Sequence, residues 1–420
     1  MPGNEHTWIT EAAVELLPEW QKEIIAPEKE NLCKEYCKYP DKYYGVSNGE
    51  HEKAKPYHFE TDGIQFHYIP DTPIVEKYRY WIVDNGKLKL PDQPENLNWK
   101  HAKNGFEYYL KKSINSLKGN KLKDALSFAG CLIHMLEDST FSLHSLEGPY
   151  GTDLFVLDRL FDCGDDPSRL PNNLMASETP RDALNAPNHK PELLGNSIDE
   201  AVFILYSRYV NATLSGRKLT FKIIQKKFEG IESPDLYNEM FRNSVILTAD
   251  VLYTIFCLAS ERREKLPYLY LSDIEPVERP WGLGFYRFIT LLKNKALNPH
   301  GQITPLKLII DGAPKEYQKG ISFGSHAEFS FVYEIPAGIY KSLDLDLGLQ
   351  AEFVNDGEIR IQILNNGNSV FDQTFDKATP SATARIDAPS GLLKIIGSSP
   401  NGARNKTVAS ICAPALSRNQ

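Results

Sequence analysis

Along roughly the first 265 residues apolar positions return every three to four places, the period of one face of a helix: Ile9–Leu17, Trp99–Leu117, Lys121–Asp138, Ile198–Leu214 and Leu236–Ser260. The punctuation fits these segments. Gly119-Asn120 parts two of them, Ser197 with Glu200 three residues on has the spacing of a capping box, and Gly216 stands where a helix would end. The stretches Asp41–Pro56 and Gly148–Asn196 are rich in Pro, Gly, Asn and Asp, and are too long for idle connections in a compact domain. Such loops often carry function.

Beyond Pro267 the period falls to two. Ile321–Phe323, Glu328–Tyr333, Ser342–Leu347, Glu358–Leu364, Ser369–Phe375, Thr383–Ile386 and Leu392–Ile396 alternate, with Asn355-Asp356-Gly357 and Asn365-Asn366-Gly367 as turns. Short strands at this spacing predict a sandwich or jelly roll. The expected fold class is therefore multi-domain, an all-α N-terminal bundle followed by an all-β sandwich. A boundary is expected within residues 285–305, with an extra helix over Phe285–Lys295, giving a first domain over 1–285 and a second over 303–420.

Composition narrows the function classes. A chain of 420 residues exceeds what one core usually organises, and 41% hydrophobic with 24% charged residues is ordinary globular composition. No run of uninterrupted apolar residues approaches the ~20 of a membrane span. The net charge of −8 argues against wrapping duplex DNA, which needs a positive surface. An acidic site still suits a phosphate substrate if bound divalent cations supply the positive charge. The six cysteines make no paired zinc-finger spacing. Cys33 and Cys37, four apart, read either as a small disulfide or soft-metal clip or, preferably, as two half-buried thiols on a helix turn. The opening Met1-Pro2-Gly3 carries no basic, apolar leader, so any secretion signal is expected to be absent from this chain.

Eight of the ten histidines fall before residue 190, accompanied by acids. The sharpest pattern is His134-Met-Leu-Glu-Asp138-Ser-Thr-Phe-Ser-Leu-His144. On a helix His134 and Asp138 share a face, with about 6 Å between β-carbons, which suits joint coordination of one ion. The plain alternative is one buried histidine and one loop histidine. Glu137, the helix neighbour of Asp138, is expected to point about 100° away and to tolerate Gln.

The segment from Asn120 through His134, Asp138 and His144 resembles the metal-binding helix of bacterial zinc-dependent phospholipase C and the related single-strand nucleases, in which a His, an Asp four on and a His six further bind metal. Glu5-His6-Thr7-Trp8-Ile9-Thr10-Glu11 resembles that family's opening helix, whose early His is also a ligand. The resemblance spans residues 5–265 and implies two to three zinc ions. It makes His134 and Asp138 ligands of one zinc, with Asp138 bridging to an ion held by His6. It also implies Asp41 and a loop histidine, His67 with His58 competing, on the first zinc. His144 with His189 and an acid would hold the remaining ion. The usual His-x-x-x-Glu pair is broken here by Leu193, so Glu200 is taken as the acid, with Glu192 and Glu147 as alternatives. The family's N-terminal amine ligand has no clear counterpart at Met1 or Pro2. His51 and His101 read as surface residues.

What the resemblance implies chemically is in-line attack of metal-bound hydroxide on phosphorus, with Asp41 orienting the nucleophile or taking its proton. Phospholipid is the expected substrate, with Tyr57, Phe59, Phe66, Tyr68 and Phe141 available for an apolar wall; single-stranded nucleic acid is the alternative. The segment Tyr317 to Pro336, with Tyr340–Gly348 and Asn366-Gly367-Asn368-Ser369-Val370-Phe371-Asp372, resembles a carbohydrate-binding module attached to secreted glycan-active enzymes. That implies a secreted protein with a glycan or membrane surface as second partner. A surface-binding protein with a decayed metal site is the non-enzymatic alternative, and His326 reads as structural.

Overall fold

The computed structural model describes residues 5–40, 82–84, 87–89, 99–141, 188–266, 268–278, 291–325, 328–399 and 407–419. The chain divides into two compact units, Met1–Glu264 and Lys265–Gln420.

The first unit is built from α1 (Glu5–Leu16), α2 (Glu19–Ile25), α3 (Lys29–Lys34), α4 (Trp99–Lys118), α5 (Leu122–Phe141), α6 (Ile198–Phe228) and α7 (Pro234–Ala259). A 3-10 turn, Tyr36–Lys38, follows α3, and a short hairpin pairs β1 (Ile82–Asp84) with β2 (Lys87–Lys89). The α4–α5 turn closes as its sequence requires: Asn120 takes the left-handed conformation at φ 56°, and Lys121 N–H bonds back to Ser116 O at 2.8 Å. Ile9 and Ala13 of α1 pack with Leu219 and Ile223 of α6 and with Tyr237, Met240, Phe241, Val245 and Ala249 of α7. α5 is buried continuously from Ala129 to Asp138, so it has no solvent face along that length. That envelopment decides the site.

Gly216 does not end a helix. α6 runs through it to Phe228, and a β-carbon there would stand 2.2 Å from Thr140 O, so glycine serves the close approach of α6 to the end of α5. α7 has the length and hydropathy of a membrane span, contrary to the reading of uninterrupted runs, yet 72% of that window is buried as in a core helix. Cys33 and Cys37 are buried free thiols, with Cys37 Sγ donating to Cys33 O at 3.1 Å; burial pushes the Cys33 thiol up to about 12.

The second unit is a wholly antiparallel β-sandwich. In chain order its strands are β3 (Leu269–Tyr270), β4 (Leu292–Lys293), β5 (Ala296–Leu297), β6 (Ile303–Thr304), β7 (Leu306–Ile310), β8 (Ala313–Tyr317), β9 (Gly320–Ser325) and β10 (Glu328–Ile335). There follow β11 (Tyr340–Leu349), β12 (Ile359–Asn365), β13 (Asn368–Phe375), β14 (Ser381–Asp387), β15 (Gly391–Ser398) and β16 (Thr407–Arg418). One sheet runs β10-β15-β12-β13; the other runs β14-β11-β16-β9-β4, with β3 also on β16. Ile359, Ile361 and Ile363 point inward at alternate positions, and Phe323, Phe329, Phe331 and Tyr333 form an aromatic core cluster.

The division at Glu264/Lys265 falls earlier than the boundary expected after residue 285. Leu269 and Tyr270 already pair with Leu416 and Ala415, and Val277 N–H bonds Val332 O at 2.7 Å, so this Pro-containing segment belongs to the sandwich. In place of the expected helix over Phe285–Lys295, Leu292 and Lys293 form a strand on β9; residues 279–290 lie outside the described residues.

Candidate metal centre

α1 delivers His6 in its first turn, and α5 delivers His134 and Asp138 one turn apart. All three are at most 1% exposed. Asp138 Oδ1 lies 3.3 Å from His6 Nε2, and Oδ2 lies 3.1 Å from His134 Nε2. The two imidazoles stack, with centroids 4.1 Å apart and planes inclined by 18°. One nitrogen from each ring and the carboxylate all fall within 4.8 Å of one another, the one such group among the described residues.

The opposite nitrogens are committed. His134 Nδ1 is 2.7 Å from Cys37 O, an atom that can only accept, so Nδ1 carries the proton. His6 Nδ1 is 2.6 Å from Glu137 Oε2 and donates to it when that carboxyl is ionised. Each ring in its neutral form therefore turns an Nε2 lone pair towards an oxygen of Asp138. Acceptor facing acceptor is repulsive unless a proton or a metal cation lies between them. Protonating both rings would supply one, but would stack two like charges face to face. A shared divalent ion meets the same demand without that repulsion. The spacings also fit, since two ligand atoms on a tetrahedral zinc with bonds of ~2.0 Å stand ~3.3 Å apart.

The local sequence explains why this arrangement can form. Gly130, one turn before His134, lies so close to the turn carrying Cys37 that an added β-carbon would sit 2.5 Å from the Tyr36 carbonyl carbon. Glycine thus admits the backbone that holds the histidine. Glu137, the neighbour expected to point away from Asp138, bonds His6. It is fully buried, and its Oε1 accepts from Thr10 Oγ1 of α1 at 3.0 Å and Thr248 Oγ1 of α7 at 3.4 Å. Burial pushes its carboxyl up, opposed by His6, His134 and Thr10.

The remaining expected ligands fare differently. Asp41, His67, His58, His144 and Glu147 lie outside the described residues, as do His51, His326 and Tyr57, Phe59, Phe66 and Tyr68. His189 is 2.8 Å through Nε2 from Asp250 Oδ1, which also accepts Glu192 N–H at 2.9 Å; the Asp250 bond raises the His189 pKa against the effect of burial. Glu200 accepts Asn196 N–H at 2.9 Å while its own N–H donates to Ser197 Oγ at 3.2 Å, the predicted cap. His189 and Glu200 are expected on a separate ion with His144, which lies outside the described residues. Sequence alone assigns no role to the Cys37 carbonyl or Asp250, and treats Glu137 as replaceable by Gln. The available signal was an acid inside an apolar run, Cys131–Leu136 before Glu137 and Val245–Cys257 around Asp250.

No protein-family model matches the chain. No curated protein matches it either. Among solved structures, 99% of the chain aligns with 94% of an alpha toxin from Clostridium absonum at 9% identity and a TM-score of 0.37. A second match, over 36% of this chain, covers the whole of a CBM51 module from Clostridium perfringens GH95, solved with methyl-galactose, at 18% identity and a TM-score of 0.28. The M60 catalytic domain of Clostridium perfringens ZmpB with its two CBM51 domains is similar over 36% of this chain at 21% identity and a TM-score of 0.31. The chain spans only 15% of that ZmpB structure's length. At such identities and scores, the chemistry must be argued from the chain's own residues.

Proposed function

We propose that the helical unit is a zinc-dependent phosphoric-ester hydrolase of the phospholipase C type. The observation that carries this reading is the convergence of two histidine Nε2 lone pairs on the Asp138 carboxylate, both rings having their other nitrogen committed. His6 and His134 would hold the ion through Nε2, and Asp138, with one oxygen towards each ring, would share its charge across the centre. Zinc bound there supplies Lewis acidity towards a phosphoryl oxygen and brings the pKa of coordinated water to ~7. The protein's part is to fix both tautomers, to keep the ligand atoms at their spacing and to exclude bulk water from the ligand side. By the family resemblance Asp41, His67 and His144 extend the centre. His189, held by Asp250, and Glu200, which accepts the Asn196 N–H, remain the proposed ligands of the ion that His144 would hold.

Phospholipid is the proposed substrate, and secretion with surface targeting through the sandwich is part of the same reading, supported by the module-like motifs at Tyr317–Pro336 and Asn366–Asp372. The test is hydrolysis of a phosphatidylcholine analogue and of single-stranded DNA by zinc-loaded protein, with and without chelator, alongside elemental analysis. Chelator-sensitive release of the phosphorylated head group is expected. Less than one zinc per chain after reconstitution would overturn the metal reading, and cleavage confined to DNA would transfer the site to a nuclease.

A further inference from the structure

We propose that Glu137 is a positioning residue for this metal centre, one that sets its affinity by holding His6. The inference rests on the metal reading above and adds a residue to it. Glu137 touches none of the three ligand atoms. Its reach is to the far nitrogen of His6, at 2.6 Å, with its other oxygen tied to hydroxyls from α1 and α7. Three helices thereby fix one carboxylate, and that carboxylate fixes one imidazole. A proton held on Nδ1 leaves Nε2 as the donor atom, and negative charge behind the ring makes that atom more basic.

The two histidines are not supported alike. His134 leans on a neutral carbonyl, whereas His6 leans on an acid buried at 0% exposure. Burying a carboxylate is costly unless something repays it. A carbonyl behind His6 would orient the ring but would draw less on its Nδ1 proton than a carboxyl group does.

The experiment uses the full chain, stripped of metal and titrated with zinc against a chromophoric chelator, with thermal melting of the metal-free protein read in parallel. Glu137→Gln keeps an acceptor for His6 but removes the charge, and about a tenfold loss of zinc affinity is expected; Glu137→Leu removes both, for roughly 100-fold. Metal-free Glu137→Leu should itself melt lower, because His6 Nδ1–H and two threonine hydroxyls lose their buried partner, so zinc affinity is the deciding measurement. A purely structural Glu137 lowers the metal-free melting temperature and leaves zinc affinity unchanged, and that result overturns the proposal. Should the Leu variant not fold, Glu137→Gln and Thr10→Val decide by the same measurement, the latter loosening the carboxylate while leaving His6 intact. If wild type and Asp138→Asn bind zinc equally or not at all, the metal reading fails and this inference with it. If Asp138→Asn loses zinc but the Glu137 variants do not, only the role of Glu137 is refuted.

Discussion

Replacing Gly130 by Ala should damage the fold and the candidate site together, by an amount that follows from one contact. The new β-carbon would stand 2.5 Å from the Tyr36 carbonyl carbon and 2.6 Å from its oxygen, where carbon atoms rest at ~3.5–4.0 Å. Both obstructing groups are backbone, so no side-chain rotation relieves the overlap. The Tyr36–Lys38 turn must retreat by about 1 Å, which stretches the His134–Cys37 hydrogen bond from 2.7 Å to beyond bonding distance. Overpacking costs ~1–3 kcal/mol and the lost bond ~1 kcal/mol, while the better helix propensity of Ala returns ~1 kcal/mol. A net loss of ~1–3 kcal/mol is expected. For a unit of this size that lowers the melting temperature by roughly 2–10 °C, read by calorimetry on the metal-free protein. With His134 unsupported, zinc affinity should fall ~10–100-fold in chelator competition. Gly119→Ala is the control, since its β-carbon would meet Asn115 O at 3.4 Å and Ser116 O at 3.6 Å, both ordinary contacts, and it should stay within ~0.5 kcal/mol. Wild-type melting and zinc affinity in Gly130→Ala would refute the reasoning.

Other perturbations address the same features. Asp138→Asn removes the charge that both histidines face, so zinc retention and hydrolysis should fall by more than the ~100-fold a supporting residue costs; full metal content with normal turnover would refute the shared-ligand assignment. Because Asp250 raises the His189 pKa, the stabilisation from that pair is complete below the ordinary value of 6.5 and is lost as pH rises through the raised one. Asp250→Asn should bring the His189 midpoint back down in an NMR titration, and an unmoved midpoint would count against the pair. Phe331→Ala, at the centre of the aromatic cluster, should cost the sandwich ~3–5 kcal/mol in urea unfolding, and a loss under 1 kcal/mol would show that the cluster does not hold it. Removal of zinc by chelator should abolish hydrolysis and readdition should restore it, as measured on the phosphatidylcholine analogue.

Much of the fold was legible because the sequence changes period. The alternating segments from Ile321 to Ile396 all became strands, and the five helical segments all became helices. The grouping of His6, His134 and Asp138 was legible because four-residue spacing places two of them on one helix face and the family resemblance pointed to the third. Glu137 was given no role because only the face shared by His134 and Asp138 was considered; from Ala129 to Asp138 α5 is enclosed by α1, α4, α6, α7 and the Tyr36–Lys38 turn, so every direction from that stretch is interior. β16 was missed for a related reason. Buried on both faces, Thr407–Cys412 does not alternate, and Pro414 argues against a central strand. The structure admits that proline through a register shift opposite Leu345, with Ala413 at φ 45°.

That late strand also sets an order of events during synthesis. β16 lies between β11 and β9 and carries β3 besides, yet every one of those partners is translated before it. Until residues near 407–418 emerge, β9 and β11 each present an unpaired edge with nothing to close the gap between them. The sandwich therefore cannot assemble by simple accretion as its strands appear; it waits for its middle. A ribosome-bound chain halted before residue 407 should be open to strand exchange with its neighbours, whereas one that has passed this stretch should snap shut in a single cooperative step.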